Sequence, residues 1–278
     1  MAASTTTTLN DLFVNIIREA IFTAQESSLV RNLVTVYDIS AENGKTIQVP
    51  TYPNVAAAAL TEGTDMSSST VSTGAVTITA AEVGVQAVLT DLASRTASRD
   101  VAADLGRVLG EGVAKKMDED IIALFDGFST NLGSAGTELI ASHFFLANAH
   151  LDTNNAPGRK VAVIHPKSAY NLKANMTNTF ANPNGGDLQN EAMRNGYVGT
   201  LGGIDIFESA NISIDGSDDM IGAVFVPGAI GLAIKWDINM EPQRDASLRA
   251  WELNATACYG VAELVDGYGI EMKFDAAI

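Results

Sequence analysis

A mixed α+β fold is predicted by three features of the chain. These are an unusually long amphipathic helix, a pair of alternating strands flanking a stretch poor in core-forming groups, and a C-terminal run of strands. The helix is read from Ser98 to Gly127. Val101, Leu105, Val108, Leu109, Val113, Met117, Ile121, Leu124 and Phe125 recur mostly at steps of three and four, which places them on one stripe. Ser98 can cap the start, with Asp100 and Asp104 near the positive end of the dipole. Gly127 follows the last apolar position, where a left-handed residue can close a helix. At about 1.5 Å per residue the rod would be roughly 42 Å long. Arg107, Glu111, Lys115, Asp118 and Glu119 are expected on its solvent face, which makes it too hydrophilic to span a membrane.

Before the helix, the first eight residues read as a flexible start. Asn10 and Asp11 precede Leu12, Phe13, Ile16, Ile17, Ala20 and Ile21, a short amphipathic helix able to dock on a neighbouring copy or on its own body. Leu29, Leu33, Val34 and Val36 lead into a strand at Tyr37–Ile39, and Asn43-Gly44 is a turn dipeptide. Lys45 to Val49 alternates, and Pro50 ends that strand or marks an edge. Residues 51–75, with Ala56 to Ala59 and Ser67 to Thr70, then offer little for a core, yet Val76 to Thr79 alternates again. The pattern reads as a two-stranded excursion whose tip leaves the body. A ribbon of two strands is marginal in water unless it packs on something, most simply another copy. A mobile surface loop is the alternative. Val83, Val85, Ala87 and Leu89 share one face of the strand that returns to the helix.

After Gly127, Ser129 to Gly136 reads as a polar link and Glu138 to Leu151 as a helix. Asn154 to Gly158 is a turn, Lys160 to Ile164 a central strand, and a helix starts at Ala169. Ala181 to Asp187 is an exposed loop. A turn at Gly202-Gly203 precedes a strand at Ile204–Phe207, and Asp215 to Asp219 separates two strand candidates. From Met220 onward strands follow one another: Ala223–Val226, Ile230–Trp236, Trp251–Tyr259 and Gly269–Phe274.

Composition limits the function classes. The 278 residues, 46% hydrophobic and 18% charged, suffice for a sizeable core and suit a folded protein. A net charge of −16 argues against binding nucleic acid through its phosphates and suits a protein lying near nucleic acid without adhering to it. One cysteine, Cys258, excludes an intrachain disulfide and any multi-cysteine zinc site. The N-terminus lacks the basic and apolar regions of a signal peptide, and no apolar run reaches transmembrane length, so a soluble protein without membrane contact is expected.

No catalytic constellation emerges from spacing. His143 and His150 sit seven apart without cysteine or paired carboxylates, a poor zinc pattern, and His165 before Pro166 reads as a strand end. There is no Gly-x-Ser-x-Gly elbow, and Gly199, Gly202 and Gly203 lack the Lys-Ser/Thr of a phosphate loop. Asp215, Asp218 and Asp219 lack the calcium-loop spacing and its distal glutamate, so a solvated hairpin loop is the expectation. Cys258 is expected to be a small core or interface residue. The expectation is therefore no catalytic, cofactor-binding or metal-binding residue and no enzyme.

The order of elements, rather than any motif, resembles the major capsid proteins of tailed bacteriophages, the Hong Kong 97-like capsid fold shared with encapsulin nanocompartments. Val161 to Pro166 ahead of a helix, Leu201 to Ile206 ahead of a strand and the β-rich tail from Ala223 also look familiar. The resemblance implies an N-terminal arm over residues 1–45 and an extended two-stranded loop over 46–90. It implies a peripheral domain with the spine helix over 91–130 and 218–278, and an axial domain over 131–217. It further implies a subunit that assembles into hexamers and pentamers of an icosahedral head, with scaffolding, portal and decoration proteins as possible partners. Such a head encloses double-stranded DNA without sequence-specific contact, and the subunit belongs to the virion capsid, assembled in the host cytoplasm. An encapsulin shell is the alternative, and a small-ligand-binding α+β domain a further one. In one branch of the family a lysine on the extended loop forms an isopeptide bond to a neighbour. Pro50 through Ser94 contains no lysine, so no such cross-link is expected.

Overall fold

A computed structural model describes residues 29–52, 57, 59–60, 62–63, 65, 73–96, 101–180 and 199–277. The expected helix at residues 10–21, the Ser98 cap and the loop from Ala181 to Asp187 lie outside the described residues. The strands form three sheets. One has four strands in the order β1-β10-β11-β4: β1 (Thr35–Asp38), β4 (Ala81–Thr90), β10 (Ile230–Asp245) and β11 (Ala250–Glu263). A second has six in the order β5-β12-β9-β6-β8-β7: β5 (Asn131–Glu138), β6 (Lys160–Ile164), β7 (Thr200–Leu201), β8 (Ile204–Glu208), β9 (Asp219–Phe225) and β12 (Gly269–Asp275). The third is the hairpin of β2 (Thr46–Thr51) and β3 (Gly74–Thr79).

The long helix packs against the four-stranded sheet. Helix α1 (Asp91–Thr96) follows β4 directly, and α2 (Val101–Ile122) buries Leu109, Val113, Ala114, Met117 and Ile121 against β4, β10 and β11. At 22 residues α2 is about 33 Å long. Its C-terminal end differs from the sequence expectation. Gly127 does not take a left-handed conformation; the chain tightens into a 3₁₀ turn at Phe125–Gly127, with Gly127 N donating to Leu124 O at 3.0 Å. A Cβ on Gly127 would lie 3.3 Å from Glu263 Oε2, so its role there is close approach. Two stripe assignments also change. Val108, read as core, is 61% exposed. Asp118, read as solvent-facing, is fully buried and accepts a hydrogen bond from the backbone N of Leu29 at 3.1 Å. On the sheet side, the Tyr259 hydroxyl donates to Asp120 Oδ2 at 2.7 Å, pinning β11 to the helix.

In the six-stranded sheet, β6 runs parallel to β8 and antiparallel to β9, and Val161, Ala162, Val163 and Ile164 are all buried. A continuous apolar run is what a strand covered on both faces requires. Helices α3 (Ala141–Thr153) and α4 (Pro166–Phe180) complete this part of the molecule. The stretch expected to be a polar link is strand β5, paired in parallel with β12. Its glycines are kinks of an edge strand: Gly133 has φ +94°, and a Cβ there would lie 2.4 Å from Lys273 O. One apolar core runs from α2 through both larger sheets, with the rings of Phe125 and Phe225 5.5 Å apart. Strands β9 and β12, which the resemblance grouped with the peripheral domain, belong to the sheet that contains β5, β6 and β8. The break expected at 217/218 therefore does not follow sheet membership.

Candidate assembly surfaces

The hairpin is anchored at one end only. Its register runs from Thr46↔Thr79 to Thr51↔Gly74, with Pro50 tolerated because β2 has no partner on its other side among the described residues. Ile47, Val49, Val76 and the buried Ile78 pack with Ile39, Ala80, Ala233, Cys258 and Leu264 in a small cluster. Alternate residues of a strand face opposite ways. Ala257 and Tyr259 belong to the main core and Cys258 to the small cluster, so the hairpin base lies on the sheet face opposite α2. Close approach is built in: a Cβ on Gly260 would stand 2.3 Å from Thr79 O. Beyond Thr51 and Gly74 the described tip residues, including Tyr52, Leu60, Glu62 and Asp65, are exposed.

A bulge in β10 holds both segments that lead away from the body. The pairing of β10 with β11 slips between Ile234 and Trp236 and again between Trp236 and Asn239. There β1 ends, with Ile39 N donating to Ile234 O at 2.9 Å. Lys235 Nζ then donates to the carbonyls of Ile39 at 3.0 Å, of Ser40 and of Glu42, clamping the loop that enters the hairpin. Two residues on, Asp237 takes a bidentate pair from Arg31, 3.1 and 2.7 Å, which ties down the chain arriving from the N-terminus. Burial pushes the Asp237 carboxyl up, but the hydrogen bonds and charge of Arg31 outweigh it and hold it below the usual carboxylate range. Sequence reasoning missed these residues. The available signal was Lys235-Trp236-Asp237, a charged pair interrupting an apolar strand.

The residues weighed for chemistry are dispersed over the fold. His143 Nδ1 accepts from Ile140 N at 3.3 Å and its ring lies 4.6 Å from that of Phe274. His165 Nδ1 accepts from Lys167 N at 3.1 Å at the start of α4. Burial lowers the pKa of both, aided at His165 by Lys167. His150 is exposed near the end of α3. Asp215 Oδ1 accepts from Ser217 N and Asp219 N, Asp218 takes a left-handed φ of +62°, and Asp219 Oδ1 accepts from Gly136 N. The aspartates thus shape a turn between Ile214 and Met220, but the expected solvated loop holds only for Asp215 and Asp218: Asp219 is buried, where it takes the Gly136 N–H. Cys258 is fully buried under the hairpin base. Among the described residues, no group of three or more His, Cys, Asp or Glu is placed to hold a metal ion. No described helix is long and apolar enough to cross a membrane.

Carboxyl groups collect where the end of α2 meets the six-stranded sheet. A cleft of about 460 Å³ is lined there by Glu119, Asp126, Asp215, Asp219 and Lys273, with Ile122 and Ile221. Beside it Glu271 is buried, and burial and the charge of Asp126 push its carboxyl up. Glu263 is also pushed up, by burial and by Asp266, which itself is held low by Ser129.

No protein-family model matches the chain, and neither does any curated protein. Its structure, however, is similar to solved structures over nearly its whole length. It matches Mycobacterium phage Che8 at TM-score 0.70 and 21% identity, covering 88% of this chain and 90% of that one. It matches the capsid of Cyanophage P-SCSP1u at TM-score 0.69 and 19% identity, covering 90% and 89%. The head of Helicobacter pylori bacteriophage KHP40 gives TM-score 0.69 at 12% identity, covering 90% and 92%. At such identities the likeness speaks for the fold. The chain has the mixed helix-and-sheet, Hong Kong 97-like fold of phage capsid structures.

Proposed function

We propose that this chain is the structural subunit of an icosahedral bacteriophage head. It assembles through hexamers and pentamers into a shell that encloses double-stranded DNA, and it performs no catalysis. The observation that carries this reading is the hairpin, anchored at its base with its described tip residues exposed, within a fold similar over about 90% of the chain to structures of phage capsids and heads. Residues from Thr46 through the β3 strand serve as the extended loop that overlaps a neighbouring copy, and the chain before Arg31 serves as the arm. Strands β5 to β9 and β12 with α3 and α4 form the axial part; α2 with β1, β4, β10 and β11 forms the peripheral part. This division follows sheet membership. The subunit works in the virion after assembly in the host cytoplasm, and scaffolding, portal and decoration proteins are its expected partners. The encapsulin and ligand-binding alternatives have no comparable support.

Electron microscopy of the purified protein, with a sizing column alongside, tests the proposal. Capsomer-sized rings or closed particles tens of nanometres across are expected, with DNA rather than cargo enzyme inside particles taken from a host. Boiled in detergent, those particles run as one monomer band, because the loop carries no lysine. A protein that stays monomeric under all conditions, scaffold included, overturns the reading.

A further inference from the structure

We propose that the side-chain amide of Asn43 is a site of spontaneous covalent modification, converting to aspartate and isoaspartate and thereby loosening the root of the hairpin. Asn43, Asn184 and Asn195 each precede a glycine, and of these Asn43 lies among the described residues. Every residue from Ala41 to Thr46 is exposed. Among the described residues neither the Asn43 side chain nor the Gly44 N–H makes a hydrogen bond. Gly44 takes φ +129°, and nothing lies within 4 Å of where its Cβ would stand, so that flank of its backbone nitrogen is unshielded. The chain is fixed on both sides of the pair. Glu42 O accepts from Lys235 Nζ, and Lys45 O accepts from Ala80 N at 2.7 Å. Asn43 and Gly44 are the free link between two anchored carbonyls.

The reaction needs only water. The Gly44 nitrogen attacks Asn43 Cγ and closes a cyclic imide as the Cγ–Nδ2 bond breaks. The proton of the Gly44 N–H passes through water to Nδ2, which leaves as ammonia. Water then opens the imide. Breaking its Cγ–N bond gives aspartate; breaking the bond to the Asn43 main-chain carbonyl gives isoaspartate, whose main chain is one methylene longer. Either product sets a new carboxylate beside Glu42, in a chain already at −16. Isoaspartate also lengthens the link between the Lys235 clamp and the first rung of the hairpin, and so pulls against both.

The test incubates the purified full chain at mildly alkaline pH, which favours the attacking nitrogen, beside a sample in urea that gives the rate of the unfolded sequence. Peptide mapping by mass spectrometry reads the amide-to-acid mass gain at Asn43, and an isoaspartyl methyltransferase reads the isoaspartate. Conversion in the folded chain should run within about tenfold of the rate in urea. A slower folded rate means that the fold protects the pair, and overturns the proposal whatever happens at Asn184 and Asn195. Fresh and aged proteins are then digested with a trace of trypsin. Aged wild type should be cut after Lys45 at least about threefold faster than fresh, whereas ageing should not speed the cutting of Asn43→Gln, whose longer side chain closes the ring far more slowly. Equal cutting of fresh and aged wild type overturns the loosening, and so does a like gain in aged Asn43→Gln, which assigns it to another position. Neither readout requires assembly, so failure here leaves the shell reading intact, and failure of the shell reading leaves this site standing.

Discussion

The hairpin and the six-stranded sheet are both built of strands, yet they solve opposite problems. Strand β6 buries four successive residues between β8 and β9, and its sequence is a continuous apolar run. Among the described residues strand β2 has one partner, and it alternates exposed with half-buried residues. The first draws its stability from the core it helps to fill. The second draws it from a cluster touching only its base, since a two-stranded ribbon contributes little alone. A segment kept ordered at its root and exposed along its length does little for its own chain. Its length makes sense as reach.

The sharpest separation of the two regions comes from truncating one large apolar side chain in each. Phe225 is fully buried in the main core against Phe125, and Phe225→Ala should cost about 3–5 kcal/mol in urea denaturation. Ile78 is as deeply buried but lies in the small cluster under the hairpin, where neighbours can relax. Ile78→Ala should fall near about 2 kcal/mol, at the low end of such substitutions. Equal costs would mean that the hairpin base is part of the main core, and the contrast would fail.

Deleting residues 56–72 acts on reach alone. The strands and the cluster beneath them remain, so the subunit should stay soluble and melt within about 2 °C of wild type. Assembly, scored as particle yield by sedimentation, should fall by about tenfold or more. Normal shells from the deletion would remove the function assigned to the hairpin.

The same contrast explains what the sequence made legible. Element type and order were readable wherever periodicity was strong, as in α2, β6 and the strands from Met220 onward, because a buried face imposes its period on the chain. Strand β5 was not readable. Its small and polar residues carry no period, and it is a strand because the β12 backbone offers it a ladder and because Gly133 can kink. Asp118 was misread for a related reason. Helical periodicity registers side chains and is silent about a backbone N–H arriving from residue 29, which makes a buried carboxylate acceptable. The clamps at Lys235 and Asp237 join residues some two hundred positions apart, and no local pattern encodes such a pairing.

The smallest expected effect lies where the 3₁₀ turn after α2 meets β12. Glu271 is buried, its Oε1 accepting from Asn131 Nδ2 at 3.0 Å, and burial and Asp126 raise its pKa while Lys273 partly offsets them. A carboxyl raised in the folded state contributes stability in full below its unfolded pKa, near about 4.3, and loses it as pH rises through the folded value. At pH 7 the ionised group is therefore a cost, and Glu263 adds a cost of the same sign. His143 and His165 have the opposite slope. Their lowered pKa values mean that stability present above about pH 6.5 is lost on acidification. Glu271→Gln keeps an oxygen for Asn131 and removes the charge beside Asp126. It should raise the melting temperature by about 2 °C at pH 7 and leave it unchanged at pH 4. A lower melting temperature at both values would mean that the carboxylate's hydrogen bond outweighs its burial, and the junction would then be held by charge rather than strained by it.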